Sequence, residues 1–307
     1  MTVPDRAAPG IAPQRELAAC GARLRFGGAP ALMGIVNATP DSFSDQGLER
    51  TLEARVQRAR DLVAAGASVI DIGGESGSTD TAAVGVEEEI ERVVPVIAAV
   101  SALGVTVSVD TYKPAVAAAA VTAGARIVND VSALADPELA DVCAQTGAAL
   151  ILMHTRAAPK HKLLDRGYDG RMAADVRALL GSLIETAIAR GVQPEQLMLD
   201  PGPDFGKTPA QTVEALRDVR ALHDFGRPLL AAISRKDFIG AITGRPPTER
   251  LAGTLAALAF AADTGMHLVR VHDVSAAADF LKVRAVLEGT ADLAADAHLP
   301  DHLRRQR

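Results

Sequence analysis

Aromatic residues are scarce in this chain, and positive charges do not outnumber negative ones. Among its 307 residues there are seven Phe, two Tyr and no Trp, which leaves little material for the aromatic platforms that stack nucleic-acid bases. The formal net charge is −6, whereas a general nucleic-acid binder usually carries a basic surface. Both features argue against a nucleic-acid-binding protein.

Long apolar runs and cysteines are also lacking. Since no run of about eighteen apolar residues occurs, we predict no helix that spans a membrane. Residues 1–30 are interrupted by Pro and Gly and carry charges, so they do not resemble a secretory signal. Cys20 and Cys143 are the only cysteines, too few for a disulfide framework. We therefore expect an intracellular, cytoplasmic protein with no membrane partner.

Short β-branched runs alternate with longer segments of helical period along most of the chain, which predicts strands that alternate with helices. The predicted strands are 31–36, 68–72, 105–109, 125–128, 148–153, 196–199, 228–233 and 266–271. The predicted helices lie near 51–65, 86–101, 114–123, 136–146, 171–190, 209–222, 249–264 and 275–288. Eight such units over about 250 residues match an α/β fold, a single closed (β/α)8 TIM barrel. A doubly wound open sheet is the alternative.

The chain is expected to divide into three segments. Residues 31–288 form the barrel, residues 1–30 an N-terminal extension that is partly mobile, and residues 289–307 a charged C-terminal tail.

A polar residue follows each predicted strand, where a barrel of this kind builds its site. The series comprises Asn37, Asp71, Asp110, Asn129, His154, Asp200, Ser234 with Lys236, and Arg270 with His272. Any single one could be a helix N-cap, which is our interpretation of Asp130, Asp136 and Asp273. Because a polar residue follows all eight predicted strands, we expect a polar ring around one mouth of the barrel.

The ring divides by chemistry. Carboxylates and an amide at Asp71, Asp110, Asn129 and Asp200 suit a ligand with several N–H donors, such as a 2-amino-4-oxo heterocycle, because an analogue without those donors would leave buried groups unpaired. Cationic side chains follow the last two strands, where such barrels often hold phosphate; they are Lys236, Arg270 and His272. Asn37 offers a neutral oxygen for a Mg²⁺ ion shared with phosphate oxygens.

These segments, in this order, resemble the dihydropteroate synthase family. The resemblance covers about residues 31–288 and rests on the runs 33–45, 71–76, 108–111, 129–130, 152–154, 200–207, 234–236 and 270–273. It implies a pterin-binding barrel, usually a homodimer, that acts in folate synthesis in the cytoplasm. The implied reaction joins 6-hydroxymethyl-7,8-dihydropterin diphosphate to 4-aminobenzoate, releases pyrophosphate and is assisted by Mg²⁺.

The resemblance also implies roles for individual residues. Pterin-binding residues are Asp71, Asp110, Asn129, Met153, Asp200, Phe205 and Lys236. Diphosphate-binding residues are Asn37, Arg270 and His272, with Asn37 also at the metal. Acceptor-pocket residues are Phe43, Arg235 and Asp237, and loop 39–47 would close over the site. Asp110 and Lys236 would be catalytic, with Asp110 stabilising the positive charge that develops on the pterin as pyrophosphate leaves.

Two departures from the family pattern concern the second substrate. The family's Thr-Arg-Pro-Gly is replaced here by residues 77–80, and the Ser of its Ser-Arg-Lys-Ser is replaced by Asp237. A carboxylate at a helix start would repel the carboxylate of 4-aminobenzoate, unless it turns outward as a cap. Two alternatives therefore stay open: a pterin-binding paralogue without synthase activity, and a transferase whose amine acceptor lacks a carboxylate. A methyl-transferring pterin barrel is disfavoured by the first signature and by Lys236.

Overall fold

Eight parallel strands form a barrel in the computed structural model, which describes residues 12–39, 51–77, 81–161 and 163–304. These strands are β3 (Ala31–Asn37), β4 (Val69–Gly73), β5 (Thr106–Asp110), β6 (Ile127–Asp130), β7 (Ala149–Met153), β8 (Leu197–Asp200), β9 (Leu230–Ala231) and β10 (Leu268–Val271). Their order is β8-β7-β6-β5-β4-β3-β10-β9. A parallel bridge from Leu199 to Leu229 joins the two end strands, so the sheet closes and the predicted TIM barrel is confirmed.

Helices follow the strands and pack on the outside of the sheet. They are α1 (Leu52–Ala64), α2 (Val86–Ser101), α3 (Pro114–Thr122), α4 (Glu138–Thr146), α5 (Met172–Ala189), α6 (Pro209–Arg217), α7 (Asp237–Thr243), α8 (Leu251–Asp263) and α9 (Val274–Leu287). None of the helices in the described residues is long and apolar enough to cross a bilayer.

Most predicted bounds agree with the structure to within two residues, and three elements differ in extent or were not predicted. The strand predicted at 228–233 is reduced to Leu230–Ala231, in part because Pro228 has no N–H to donate to a neighbouring strand. The helix predicted at 209–222 ends at Arg217 and continues as the 3₁₀ turn Val219–Phe225. Helix α7 was not predicted from periodicity, because seven residues give too few turns for an apolar stripe to repeat.

A hairpin that the sequence analysis missed closes the N-terminal end of the barrel. Strands β1 (Ala12–Ala19) and β2 (Ala22–Gly28) pair antiparallel around Cys20 and Gly21, whose φ angles are 49° and 76°. Two positive φ values suit a two-residue hairpin turn. The usual Asn-Gly or Asp-Gly signal is replaced here by Cys-Gly, so composition alone suggested an extension without strands.

Side-chain alternation divides the core into two layers. One face of the strands packs against the helices, with Ile70, Ile72 and Val109 fully buried there. The other face fills the barrel interior, and the hairpin adds Leu17, Ala19 and Phe26 to this inner layer; its barrel members are Met33, Val69, Ile127, Ala149, Ile151, Met198, Leu230 and Leu268. The hairpin is therefore part of the barrel core.

We predict that Leu17→Ala lowers the free energy of unfolding by about 2–5 kcal/mol, because it leaves a cavity in the inner layer. Urea denaturation followed by circular dichroism measures this change. Arg25→Ala on the same hairpin is the matched control: its side chain is 81% exposed, so the change should stay within about 0.5 kcal/mol. Equal, small effects at both positions would show that the hairpin is not part of the folded core.

Candidate active site at the C-terminal mouth of the barrel

The polar ring lies directly beyond the inner layer of the core. On five strands, the next residue on the inward-facing side belongs to the predicted site. Residues two apart on a strand face the same side. The inner-layer residues Val69, Ile127, Ile151, Met198 and Leu268 are therefore followed, on the same face, by Asp71, Asn129, Met153, Asp200 and Arg270. Five of the predicted site residues point into the mouth for this reason.

A partly buried ion-pair cluster joins three of these residues with Asp110 across the mouth. The Arg270 Nε donates to Asp71 Oδ2 at 2.6 Å, and its Nη2 donates to Asp110 Oδ2 at 3.0 Å. The Asn129 Nδ2 also donates to Asp71 Oδ2, at 3.3 Å. The guanidinium therefore spans from β10 to β4 and β5 and fixes both carboxylates.

Asp71 lies at the bottom of this cluster. It is fully buried, and its second oxygen, Oδ1, has no hydrogen-bond partner. Because Asp71 Oδ2 accepts hydrogen bonds from both Arg270 and Asn129, Asp71 is placed to orient these two side chains. Direct binding of a pterin by Asp71 stays a prediction, and the partners of its Oδ2 are Arg270 and Asn129.

A cavity of about 790 Å³ opens above the cluster. Its wall includes five predicted residues, namely Asp110, Phe205, Arg235, Lys236 and Asp237. The wall does not include Asn129, Met153 or Asp200, which lie deeper and are at most 3% exposed. The site therefore has an open outer part and a deeper polar part.

Burial changes the proton affinity of two of the carboxyl groups. Burial raises the pKa of Asp200 to about 6, although the backbone N–H of Gly202 donates to its Oδ1 at 2.7 Å and opposes the shift. Burial also raises the pKa of Asp110, where Arg270 opposes the shift and Asp71 adds to it. Both carboxyl groups thus titrate closer to neutrality than ordinary aspartates.

Lys236 faces the ring of Phe205 on the cavity wall. Its Nζ lies 4.4 Å from the ring centroid, within cation–π range. Burial lowers its pKa, and Asp204 and Asp200 oppose that shift. Within the described part of the chain its ammonium group makes no hydrogen bond or ion pair, so its donors are available to a ligand.

The loop that carries Phe205 is held by Lys207, a residue to which the sequence analysis gave no role. The Lys207 Nζ donates to the carbonyls of Gly202 at 2.7 Å, His154 at 3.0 Å and Phe205 at 3.1 Å. Gly202 has a φ of 65°, and a Cβ there would lie 2.0 Å from the His154 carbonyl oxygen. Lys207 is 3% exposed, so its role is to fix the loop. Burial of this lysine was not recognisable from the sequence, because it depends on carbonyl groups that the fold brings together.

Positive charge is concentrated beside the last two strands. Burial, together with the nearby charges of Arg270, Arg235, Lys236 and Arg58, lowers the pKa of His272 to about 3. The His272 ring is therefore neutral at pH 7, and its Nδ1 lies 2.9 Å from Ser234 Oγ. Several cations in one place suit an anionic ligand group, as predicted for diphosphate.

Arg235 turns away from this group of cations. Its Nη2 donates to Asp273 Oδ1 at 2.9 Å and its Nε to Asp273 Oδ2 at 3.2 Å. Asp273 occupies the N-cap position of α9, as interpreted, but its carboxylate makes no cap hydrogen bond there and binds Arg235 instead. The interpretation of Asp130 and Asp136 as helix N-caps is wrong, because the N-cap residue of α4 is Pro137. Their carboxylates accept from loop N–H groups, of Leu134 at 2.6 Å and of Glu138 at 3.0 Å.

Asp237 has the outward orientation, one of the two that the sequence left open. Its side chain is 82% exposed and accepts from Arg250 Nη1 at 2.9 Å. Its carboxylate does not cap α7. The side chain of Asp204 caps the helix instead, because its Oδ2 accepts from the backbone N–H of Asp237 at 2.5 Å and of Phe238 at 3.4 Å. The sequence analysis missed Asp204 because it lies 33 residues before its partner in the chain.

The loop between β4 and α2 is anchored by lysines from other loops. Lys113 donates to Glu75 Oε2 at 2.6 Å and to Glu89 Oε2 at 2.5 Å. Lys160, from the loop after β7, donates to the Ser76 carbonyl and, at 2.9 Å, to Thr81 Oγ1. Two cations therefore hold the residues on either side of the segment that departs from the family pattern.

Some predicted features cannot be located. Phe43, most of loop 39–47 and residues 78–80 lie outside the described residues. Asn37 ends β3 at the mouth and is partly buried. Within the described residues no three His, Cys, Asp or Glu side chains come together as a metal site.

Comparison with known proteins agrees with this geometry. The family described as "Pterin binding enzyme" matches residues 33–272. The dihydropteroate synthase of Escherichia coli (strain K12) is 40% identical over 255 residues, which span 83% of this chain and 90% of that protein.

Solved structures agree as well. The Xanthomonas albilineans dihydropteroate synthase with 4-aminobenzoic acid matches with a TM-score of 0.82 and 42% identity, covering 90% of this chain and 99% of that one. The same enzyme in complex with 7,8-dihydropteroate gives a TM-score of 0.79 at 42% identity, over 89% and 98% of the two chains. The chain therefore belongs to the dihydropteroate synthase family of pterin-binding enzymes.

Proposed function

We propose that this protein is a dihydropteroate synthase, which joins 6-hydroxymethyl-7,8-dihydropterin diphosphate to 4-aminobenzoate and releases pyrophosphate. The observation that carries the proposal is the cluster of Asp71, Asp110, Asn129 and Arg270 in the mouth of the barrel. The relatives support the choice of substrates, since the X. albilineans enzyme was solved with 4-aminobenzoic acid and with 7,8-dihydropteroate.

The deeper part of the site is suited to the pterin ring. Asp200, Asn129 and Asp110 supply oxygens that accept from ring N–H groups, and Lys236 supplies free N–H donors for the ring carbonyl. Met153 is 1% exposed at the same depth, and Phe205 lies beside Lys236. A heterocycle with donors on one edge and an acceptor on the other would satisfy these groups together.

The reaction needs stabilisation of charge more than a nucleophile from the protein. The bond between the pterin methylene carbon and the diphosphate oxygen breaks, and pyrophosphate leaves with the electron pair. Asp110 then stabilises the positive charge on the pterin, while Arg270 and neutral His272 hold the leaving group. The acceptor nitrogen forms the new C–N bond and loses a proton to solvent.

We propose that Mg²⁺ binds with the substrate diphosphate beside Asn37. The amide oxygen of Asn37 is a hard donor of the kind Mg²⁺ prefers, and the ion commonly uses few protein ligands together with phosphate oxygens and water. This fits the described residues, which provide no cluster of three acidic or histidine ligands. When bound, Mg²⁺ would neutralise charge on the diphosphate.

We also propose a cytoplasmic homodimer. An apolar groove of about 340 Å³ lies between α6, α7 and α8, lined by Leu216, Phe238 and Ile239 among others. Ile242 and Phe260 stand on the same groove and are 69% and 38% exposed. An exposed apolar patch of this kind is typical of a protein interface. Both cysteines are free thiols, in keeping with a reducing compartment.

We predict that Asp110→Asn lowers kcat by about 10²–10³, because the amide cannot stabilise positive charge although it keeps an oxygen for Arg270. Pyrophosphate release with pterin diphosphate, 4-aminobenzoate and Mg²⁺ measures kcat. Asp224→Asn, a 70% exposed carboxylate on the outside, is the control and should retain full activity. Absence of turnover in the unaltered, folded and pterin-binding protein would refute synthase activity.

We predict that pterin affinity falls below pH 6. A protonated Asp200 cannot accept a ring N–H with that oxygen, and its pKa of about 6 gives about tenfold weaker binding at pH 5 than at pH 7. Calorimetric titration with 6-hydroxymethylpterin, alongside circular dichroism as a control for folding, measures this. Asp200→Asn should bind more weakly at pH 7 and lose much of the decline. A flat profile from pH 5 to 8 in the unaltered protein would contradict the assignment.

For the homodimer, we predict that Ile242→Asp yields a monomer of 31.8 kDa in light scattering after size exclusion, because a charge in the groove opposes its burial. The unaltered chain should show twice that mass. Ile188→Asp, at an isoleucine that is 42% exposed on α5, is the matched control and should remain dimeric. A monomeric unaltered chain would disprove the homodimer.

A further inference from the structure

Three charged residues on the cavity wall have left-handed backbone conformations. One of them, Asp204, bears on how the acceptor amine binds. Lys160, Asp204 and Arg235 have φ angles of 64°, 65° and 58°. Such conformations are uncommon outside glycine and, where they cluster at a site, are often functional. Lys160 anchors Ser76 and Arg235 anchors Asp273, so both guanidinium and ammonium are engaged with protein groups.

Asp204 is held rigidly at the edge of the cavity where α7 begins. Besides the two N–H groups of α7, it interacts with Thr212: the Thr212 Oγ1 lies 3.0 Å from Asp204 Oδ1 and 3.0 Å from the Asp204 backbone N. Three hydrogen bonds fix the carboxylate in one orientation, and a fourth fixes the backbone N–H of Asp204. An anionic group of a ligand at this edge would therefore be repelled by the fixed negative charge of Asp204.

The cations around this edge are already compensated. Asp204 is the leading carboxylate that holds up the pKa of Lys236, so their charges offset each other. Arg235 is paired with Asp273, and Arg250 with Asp237. The acceptor side of the cavity thus lacks an uncompensated positive charge among the described residues that line it beside α7.

We propose that Asp204 sets the acceptor specificity of the enzyme by removing the electrostatic preference for a carboxylate. The inference rests on the proposed function, because it concerns the second substrate of the same site. An aromatic amine with an uncharged para substituent, such as 4-aminobenzamide, should react with the pterin diphosphate about as well as 4-aminobenzoate does. The bonds that form and break are the same for either amine.

The test compares kcat/KM for 4-aminobenzoate and 4-aminobenzamide in the unaltered protein and in Asp204→Asn. Asparagine tolerates a positive φ and keeps an oxygen for the α7 N–H groups, so the substitution removes the charge with little change in shape. Removal of the Asp204 charge beside Lys236 should raise kcat/KM for 4-aminobenzoate by about tenfold, mainly through a lower KM. The value of kcat/KM for 4-aminobenzamide should hardly change.

Asp141→Asn is the matched control: it also removes one carboxylate, which pairs with Arg190 on the outside of the barrel, and the ratio of the two amines should stay as in the unaltered protein. A ratio that is unchanged within twofold in Asp204→Asn, or a strong preference for 4-aminobenzoate in the unaltered protein, would overturn the inference. Asp204→Gly provides a second variant if Asp204→Asn does not fold.

Loss of the proposed function gives a different result. If neither amine is turned over although 6-hydroxymethylpterin binds, synthase activity is refuted. Calorimetric binding of the two amines in the presence of pterin and pyrophosphate then still tests Asp204, because the same tenfold change in relative affinity is expected between the unaltered protein and Asp204→Asn. An unchanged ratio of affinities would reject its role in specificity.

Discussion

The contact between Arg270 and the two carboxylates of Asp71 and Asp110 organises the mouth of the barrel. Two acidic side chains inside one barrel repel each other, and each loses hydration there. A guanidinium, planar and with several N–H donors, can serve both at once. Because Asp71 also accepts from Asn129, this one cation fixes the geometry of three ligand-facing strands.

The loops around the mouth are stabilised in a similar way, each by a buried cation that binds a neighbouring segment. Lys207 binds three carbonyls beneath the loop with Phe205, and Lys113 binds two glutamates from the loop and helix after β4. A buried ammonium is costly unless its donors are satisfied, so these contacts are expected to hold the loops firmly. Rigid loops keep the site in the geometry that a dissociative reaction requires.

Two ends of the same cavity differ in charge. Near His272 several cations lower the pKa of the imidazole, which suits a diphosphate. Near Asp204, Arg235 and Arg250 are paired with carboxylates, and the charge of Asp204 offsets that of Lys236; this is the basis of the proposed acceptor specificity. The difference arises from residues after β8 on one side and after β10 on the other.

The fold, and the residues that form the polar ring at the mouth, could be predicted from the sequence. Strand and helix periodicities are local properties of the sequence, so eight strand–helix units could be counted. The residues at the predicted strand ends then indicated the members of the ring, among them Asp110, Asn129, Asp200 and Arg270. Closure of the barrel then brought them together. The hairpin escaped prediction because Cys-Gly is an unusual turn signal, and the function of Lys207 because burial of a lysine depends on distant carbonyls.

Only the tertiary structure decided how charges pair across the mouth. Asp273 binds Arg235 rather than capping its helix, and Asp204 caps the helix that begins at Asp237. These partners lie more than thirty residues apart in the chain. Electrostatic interactions depend on distance in space, which spacing along a sequence does not give, whereas strand and helix periodicity depends on neighbours. Residue types were therefore readable from the sequence, and their partners were not.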